Sequence, residues 1–131
     1  MDDNYKYSDI TRDIIKAFFF LYNKLGYGFF EKVYERAMIH ELPKHGLKSQ
    51  NQKSIKVFYD GKVIGDYYAD LIVNDCVVVE LKAVETIAPE HEVQLVNYLK
   101  AGGFEVGLLL NFGPDPQFKR RVLSKKFHYH S

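Results

Sequence analysis

One short segment restricts the fold more than any other part of this sequence. Residues 76–83 read Cys-Val-Val-Val-Glu-Leu-Lys-Ala, and the three valines Val77, Val78 and Val79 favour a β-strand. Because successive side chains of a strand point to opposite faces, three consecutive valines require cover on both faces. The segment therefore predicts a central strand in a sheet that has helices on each side.

Turn and glycine signals divide the rest of the sequence into six further elements. Two helices come first, Asp60-Gly61 and Asn74-Asp75 then mark the turns of a three-stranded meander, and a helix and a last strand follow. The predicted elements are helices over 8–25, 29–45 and 89–101, and strands over 54–59, 62–73, 76–83 and 105–112. The order ααβββαβ indicates an α/β fold with a mixed β-sheet and helices on both faces, because the crossover helix should bring the last strand in parallel.

The two leading helices carry more detailed predictions. Ser8 is a suitable N-cap for the first helix. The periodicity of the second helix predicts that Phe30, Val33, Ala37 and Leu42 are buried. In the first helix, the run Phe18-Phe19-Phe20 is apolar around more than one helix face, which makes a homodimer contact conceivable.

Composition limits the class of protein. The 131 residues suit a single domain, with a core over about 9–113 and a basic C-terminal tail over 117–131. Charged side chains throughout the first twenty positions argue against a signal peptide or a membrane span, and Cys76 as the only cysteine excludes an intramolecular disulfide. We therefore expect a cytoplasmic protein with no membrane partner. The net charge of +1 does not itself indicate nucleic-acid binding, but it does not oppose it, since acidic and basic sites cancel in the sum.

Three charged residues interrupt the apolar strands, namely Asp70, Glu80 and Lys82. Strand periodicity places Glu80 and Lys82 on one face of the sheet. Asp70 joins them only if the loop between its strand and the next contains an odd number of residues, since a two-residue turn would place Asp70 and Glu80 on opposite faces. We therefore predict a three-residue loop, Asn74-Asp75-Cys76, or a bulge at this point.

Two carboxylates and a lysine on one face suit phosphodiester hydrolysis. Asp70 and Glu80 would be ligands for Mg²⁺ or Mn²⁺, which neutralises phosphate charge and lowers the pKa of a bound water. Lys82 would position the nucleophile or stabilise developing negative charge. A structural salt bridge on a half-exposed sheet face would use the same residue types, so the pattern alone leaves both interpretations open.

Longer motifs show a resemblance to a known family. The segment Gly28-Phe29-Phe30-Glu31-Lys32-Val33-Tyr34 resembles the signature of the GxxExxY proteins, a family of the PD-(D/E)xK nuclease superfamily. The similarity continues in residues 69–71, 80–83, 92–99 and 107–113. As a whole it covers roughly residues 10–112. The resemblance implies a restriction-endonuclease-like core and a nuclease activity. The proline that usually precedes the first acid is absent, and Ala69 stands there.

The same resemblance assigns three further residues. It implies that Glu31 is an auxiliary catalytic residue and metal ligand, although an ordinary exposed helix glutamate would have the same sequence context. Gln94 and Tyr98 resemble the Gln-x-x-x-Tyr motif of the RecB-like branch, which implies that they bind substrate, and their i, i+4 spacing places them on one helix face. A solvated Gln94 and a Tyr98 at the edge of the core are the alternative.

The functional hypothesis is a Mg²⁺-dependent deoxyribonuclease. Asp70, Glu80, Lys82 and Glu31 would be its catalytic residues, and its partner would be nucleic acid, with DNA preferred over RNA although the metal chemistry does not separate them. The alternative from another class is a catalytically silent nuclease fold that binds nucleic acid or a protein partner.

Overall fold

The computed structural model describes residues 6–125. The helices are α1 (Ser8–Leu25), α2 (Glu31–Glu41), which continues into a 3₁₀ turn at Leu42–His45, and α3 (Pro89–Gly102). The strands are β1 (Ser49–Tyr59), β2 (Lys62–Val73), β3 (Val77–Lys82), β4 (Val106–Phe112) and β5 (Pro116–Val122). All seven predicted elements are present, and an additional strand, β5, follows them.

The five strands form one mixed sheet in the order β1-β2-β3-β4-β5. β3 and β4 are parallel and are joined through α3, whereas the other three pairs of neighbours are antiparallel. Each of the five residues from Val77 to Leu81 is buried, so β3 is the central, doubly covered strand that its valines predict. The parallel connection through the third helix is also confirmed.

Helices cover both faces of the sheet, as the order of elements predicts. On one face α1 and α2 bury Phe18, Tyr34 and Met38 against Leu71 and Val79. On the other face Leu95, Tyr98 and Leu99 of α3 pack against a second cluster of strand residues, Ile55, Ala69, Ile72, Val78 and Leu109. Among residues 6–125, no helix is long and apolar enough to cross a membrane.

The buried face of α2 differs from the predicted one. Phe30 and Val33 are exposed, and Tyr34 and Met38 are buried in their place, whereas Leu42 is buried as predicted. The ring of Tyr34 stacks on Phe112 at a centroid distance of 4.1 Å, and this contact selects the helix face that meets the sheet. The helix also begins at Glu31 rather than at residue 29, with Phe30 in an extended conformation before it.

Two terminal predictions also need correction. The residue that caps α1 is Tyr7, with a φ of 55°, and Ser8 is already helical; its carbonyl accepts a hydrogen bond from Thr11 Oγ1 at 3.1 Å. The segment assigned to the start of a basic tail is strand β5, which pairs with β4 from Val106 to Phe112. β4 therefore has a partner on each side, and the sheet extends beyond residue 113. Residues 126–131 of the predicted tail lie outside the described residues.

Candidate active site

The β2–β3 hairpin has the three-residue loop that the parity argument requires. Val73 pairs with Val77 and Leu71 pairs with Val79, so Asn74, Asp75 and Cys76 form the loop. Continuing this register places Asp70 opposite Glu80. The prediction of an odd loop is confirmed.

Asp70 and Glu80 are connected by hydrogen bonds between their carboxylates and the backbone of the opposite strand. The Asp70 backbone N–H donates to Glu80 Oε1 at 3.0 Å, and the Leu81 backbone N–H donates to Asp70 Oδ2 at 2.8 Å. Each carboxylate therefore accepts a main-chain hydrogen bond from the opposite strand, beyond the last regular pair of β2 and β3. This arrangement fixes the two acidic groups side by side without a cation between them.

The strand alternation of β2 changes at Asp70. Tyr67 and Ala69 face α3, where the ring centroids of Tyr67 and Tyr98 lie 5.4 Å apart. Leu71 instead belongs to the cluster under α1 and α2. In a regular strand Ala69 and Leu71 would share a face. The opposing residue on β1 is Gln52, which has a φ of 52°, so the irregularity affects both strands. Asp70 thus lies where the face of the hairpin changes, and Gln52 Nε2 lies 3.4 Å from its Oδ1.

Electrostatics distinguish these carboxylates from surface acids. Burial first, and then the charge of Asp70, raises the pKa of Glu80 to about 8. Burial also raises the pKa of Asp70, and the nearby charge of Glu35 adds to this effect, while the Leu81 hydrogen bond opposes it. Lys82 is the cation that lowers both values. With a pKa of about 8, Glu80 is largely protonated at neutral pH unless a further cation lies beside it.

A buried asparagine holds the chain just after Lys82. Lys82 lies opposite Asn111 in the β3–β4 register. Asn111 Oδ1 accepts a hydrogen bond from the Val84 N–H, and its Nδ2 donates to the Val84 carbonyl, both at 2.9 Å. A Cβ on Gly113 would lie 2.2 Å from that carbonyl, so this position requires glycine. Sequence reasoning missed Asn111, although a polar residue inside the apolar run of β4 was the available signal.

Glu31 lies near Asp70 but is not joined to it. Both residues line a cavity of about 200 Å³ between the start of α2 and the sheet. Glu31 is exposed at the first position of α2. Within residues 6–125, no three His, Cys, Asp or Glu side chains lie close enough together to hold a metal ion. The described geometry therefore brings together Asp70 and Glu80, and Glu31 lines the cavity that Asp70 also lines.

Two further cavity residues escaped sequence reasoning. Glu35 is 4% exposed, and its carboxylate accepts hydrogen bonds from Lys32 Nζ at 2.8 Å and from Gln52 Nε2 at 2.5 Å. The i, i+4 spacing of Glu31 and Glu35 was the available signal, since it puts both on one helix face. Gln52 gave no signal, because it lies in a polar run that has no strand periodicity.

Gln94 and Tyr98 are in contact on α3. Gln94 Nε2 donates to the Tyr98 hydroxyl oxygen at 2.9 Å. Burial raises the pKa of Tyr98 to about 12, and the charges of Glu80 and Asp70 contribute next, which places the ring in the field of the acidic pair. Tyr98 is buried and Gln94 is exposed, so these two hydrogen-bonded side chains extend from the vicinity of the acids to the surface.

The tyrosine of the Gly28-Glu31-Tyr34 motif has a structural role. Tyr34 is fully buried; its hydroxyl donates to the Gly26 carbonyl at 2.7 Å and accepts from the Phe29 N–H at 3.3 Å. Gly28 has a φ of 118°, which a residue with a side chain rarely adopts. The motif therefore fixes the loop before α2 and, through it, the position of Glu31.

The donor set fits a hard divalent cation. Mg²⁺ binds carboxylate oxygens and commonly uses only one or two of them while it retains several waters. Asp70 and Glu80 supply two adjacent carboxylates with incompletely neutralised charge. A third protein ligand is not needed for such a site.

Comparisons with known proteins agree with this fold. A family model described as the PD-(D/E)XK nuclease superfamily matches residues 8–122. The crystal structure of SSO0001 aligns with a TM-score of 0.55 and 18% sequence identity over 72% of this chain and 52% of that chain. The present chain thus spans about half the length of SSO0001, and at this identity the similarity concerns the fold. No curated protein matches the chain.

Proposed function

The chain belongs to the PD-(D/E)XK nuclease superfamily, and on this premise we propose that it is a metal-dependent nuclease that hydrolyses phosphodiester bonds in DNA. The observation that carries the proposal is the pairing of Asp70 with Glu80 inside the sheet, on the strand that also carries Lys82. Buried charges of one sign are costly, and such groups are concentrated at functional sites.

The metal would be Mg²⁺ or Mn²⁺, held by Asp70 and Glu80 with Glu31 contributing from the rim of the cavity. When bound, such an ion neutralises phosphate charge and makes a water molecule a better nucleophile at neutral pH. Glu31 is close enough to the cavity to contribute through a water molecule rather than by direct contact, in agreement with the solvent-retaining habit of Mg²⁺.

Lys82 would act on the reacting water and phosphate. Its position on the face of Glu80 directs it to the acidic pair, and its charge reaches both carboxylates. A lysine in this position orients the attacking water and stabilises the negative charge that develops on the phosphate oxygens. Asn111 is a positioning residue, because it fixes the backbone two residues beyond Lys82.

Tyr98 and Gln94 would bind the substrate backbone. Gln94 donates to the tyrosine oxygen, so the Tyr98 hydroxyl proton is available to a phosphate oxygen. Because the pKa of Tyr98 is raised to about 12, the hydroxyl stays protonated at physiological pH and remains a donor. The resemblance to the GxxExxY proteins and to the Gln-x-x-x-Tyr motif supports these assignments. We also propose a cytoplasmic location.

A cleavage assay tests the proposal. Labelled DNA is incubated with the protein in Mg²⁺, in Mn²⁺ and with chelator, and we expect cleavage only when a divalent ion is present. Asp70→Asn should abolish cleavage. Asp75→Asn is the matched control, because it removes an exposed acid from the same hairpin and asparagine tolerates its φ of 56°. Full activity in Asp70→Asn would refute the assignment; an RNA oligonucleotide of equal sequence tests the preference for DNA.

A second candidate is a silent nuclease fold that binds nucleic acid or a protein. The observation in its favour is that Asp70 and Glu80 each accept a main-chain hydrogen bond from the opposite strand, which gives both acids a structural role. Calorimetric titration with Mg²⁺ separates the two candidates. Heat of binding that disappears in Asp70→Asn supports the nuclease, whereas DNA binding without Mg²⁺ binding or cleavage supports the silent module.

A further inference from the structure

The loop between α1 and α2 exposes two phenylalanines beside the candidate active site. Phe30 is 87% exposed and Phe29 is 47% exposed, although sequence periodicity predicts that Phe30 is buried. Side chains of this size are normally the main contributors to a core or an interface. Their exposure therefore requires an explanation.

The exposed rings stand on a backbone that is firmly held. The Tyr34 hydroxyl binds the Gly26 carbonyl and the Phe29 N–H, and the Gly26 N–H donates to the Tyr22 carbonyl at 2.8 Å. The Val33 N–H donates to the Phe30 carbonyl at 3.0 Å, which ties the loop to the first turn of α2. Because both ends of the loop are anchored, the backbone that carries the rings is held in place, and a ligand that meets them incurs little cost for ordering the loop.

The loop continues directly into the cavity that contains Asp70. Phe30 precedes Glu31 and Lys32, which line that cavity together with Gln52 and Asp70. On the sheet side lies Tyr68, which is 53% exposed and precedes Asp70 by two residues. Tyr67 and Ala69 face α3, so Tyr68 points to the opposite face of the hairpin, the face on which α2 lies. Phe30 and Tyr68 therefore adjoin lining residues of the cavity along the chain, Phe30 on the α2 side and Tyr68 on the sheet side.

Lysines accompany these rings. Lys32 Nζ lies on the α2 wall at 2.8 Å from Glu35. Lys56 lies on the same sheet face as Tyr68, and both contact Asp66 at 3.3 Å. Aromatic rings interleaved with basic side chains are the surface that proteins use for single-stranded nucleic acid, because rings stack on bases and ammonium groups follow the phosphates.

We propose that the loop phenylalanines Phe29 and Phe30, together with Tyr68, stack on unpaired bases, so that the substrate class of this site is single-stranded DNA. The inference rests on the proposed function, since it uses the same cavity. Duplex DNA does not offer the faces of its bases, which are covered by their neighbours in the stack. A single strand exposes them, and an aromatic ring carried by an anchored loop then orients the scissile phosphate over Asp70 and Glu80.

Binding measurements with matched variants test this inference. Fluorescence anisotropy is recorded with a labelled single strand and with its duplex, with Ca²⁺ in place of Mg²⁺ to suppress cleavage. We expect the single strand to bind at least about tenfold more tightly than the duplex, and Phe30→Leu to weaken single-strand binding by about tenfold. Phe30→Trp should retain the affinity, because it keeps a stacking surface. Phe118→Leu is the control, since Phe118 is 40% exposed on β5 at the far edge of the sheet.

A base analogue gives a direct readout of stacking. A strand that carries 2-aminopurine should lose fluorescence on binding to the wild type and to Phe30→Trp, and should lose less on binding to Phe30→Leu or Tyr68→Leu. Equal quenching and equal affinity in all variants would overturn the inference, as would tighter binding of the duplex. Sedimentation provides a further check: a dimer that Phe30→Leu dissociates would show that this surface joins two copies of the chain and does not bind DNA.

Failure of this inference is separable from failure of the proposed function. Mg²⁺-dependent cleavage that is lost in Asp70→Asn but unaffected by Phe30→Leu would overturn the stacking role and leave the nuclease assignment standing. Stacking and single-strand binding in a protein that never cleaves DNA would do the reverse.

Discussion

Two glutamates of this protein are equally buried but have opposite surroundings. Glu41, at the end of α2, and Glu80, in β3, are each 5% exposed. Glu41 Oε1 lies 3.7 Å from Lys44 Nζ, and its Oε2 lies 2.9 Å from His45 Nε2. Glu80 instead faces Asp70, another acid, and its pKa is raised to about 8 by burial and by that charge.

We interpret Glu41 as a structural carboxylate and Glu80 as a functional one. The partners of Glu41 come from the next turn of the same helix, so local sequence satisfies its charge. Glu80 is placed by strand pairing next to another acid, an arrangement that costs stability even though Glu80 Oε1 accepts a hydrogen bond from the Asp70 N–H. We infer that the site tolerates this cost because the pair binds a cation during function. The predictions below compare the two environments.

The largest expected difference is in activity, between the lysines that accompany the two glutamates. Lys82→Met should lower the rate of DNA cleavage by about 100–1,000-fold, the usual effect of removing one electrostatic stabiliser from an active site. Lys44→Met should leave the rate unchanged, because Lys44 forms its ion pair with Glu41 and not with the acids of the candidate site. Initial rates with labelled single-stranded DNA in Mg²⁺ measure both. Equal rates for Lys82→Met and the wild type would remove Lys82 from the mechanism.

The second difference is the pH dependence of stability in chelator. The pKa of Glu80 lies at 4.5 in an unfolded chain and at about 8 in the folded one, so the folded state holds the proton more tightly. Its contribution is therefore fully present below pH 4.5 and is lost as the pH rises towards 8, by up to about 4 kcal/mol. Urea unfolding between pH 5 and 9 should show this decline in the wild type and in Glu41→Gln.

Glu80→Gln is the informative variant in the same experiment. Glutamine cannot ionise, so its unfolding free energy should stay nearly constant where that of the wild type falls. A wild-type protein whose stability does not fall between pH 5 and 8 would contradict the unusual environment assigned to Glu80.

The third difference is the response to Mg²⁺. An ion that binds only the folded state stabilises it, by about 2.7 kcal/mol at a concentration 100 times its dissociation constant. Wild type and Glu41→Gln should gain this stability at pH 8, while Asp70→Asn and Glu80→Gln should gain little. Thermal unfolding at constant ionic strength measures the gain. The same gain in all four proteins would place the ion elsewhere.

The β2–β3 half of the site could be predicted because its geometry depends on residue counts. Strand periodicity puts Glu80 and Lys82 on one face, and the number of residues between the strands decides whether Asp70 joins them. The valines of β3 likewise predict its central place, since their burial pattern is local. These features follow from the sequence without knowledge of distant contacts.

The α2 half depends on contacts between distant segments. The buried face of α2 is selected by Tyr34 stacking on Phe112, and this contact leaves Phe30 outside the core. The positive φ of Gln52 and the change of face at Asp70 arise where two strands diverge from the third. No local sequence pattern predicts the positive φ of Gln52 or the change of face at Asp70. Strand β5 depends on a distant contact in a similar way, because its pairing with β4 compensates for a weak strand sequence.

The smallest expected effect is on stability at Glu41. Glu41→Gln removes a carboxylate whose cationic partner Lys44 is 60% exposed, and such pairs contribute about 1 kcal/mol or less. The unfolding free energy at pH 7 should fall by no more than this, with cleavage unchanged. A loss of several kcal/mol would show that burial makes Glu41 as demanding of a partner as Glu80. In that case the two glutamates would differ only in which residues surround them. The environment of Glu80 would then no longer indicate metal binding.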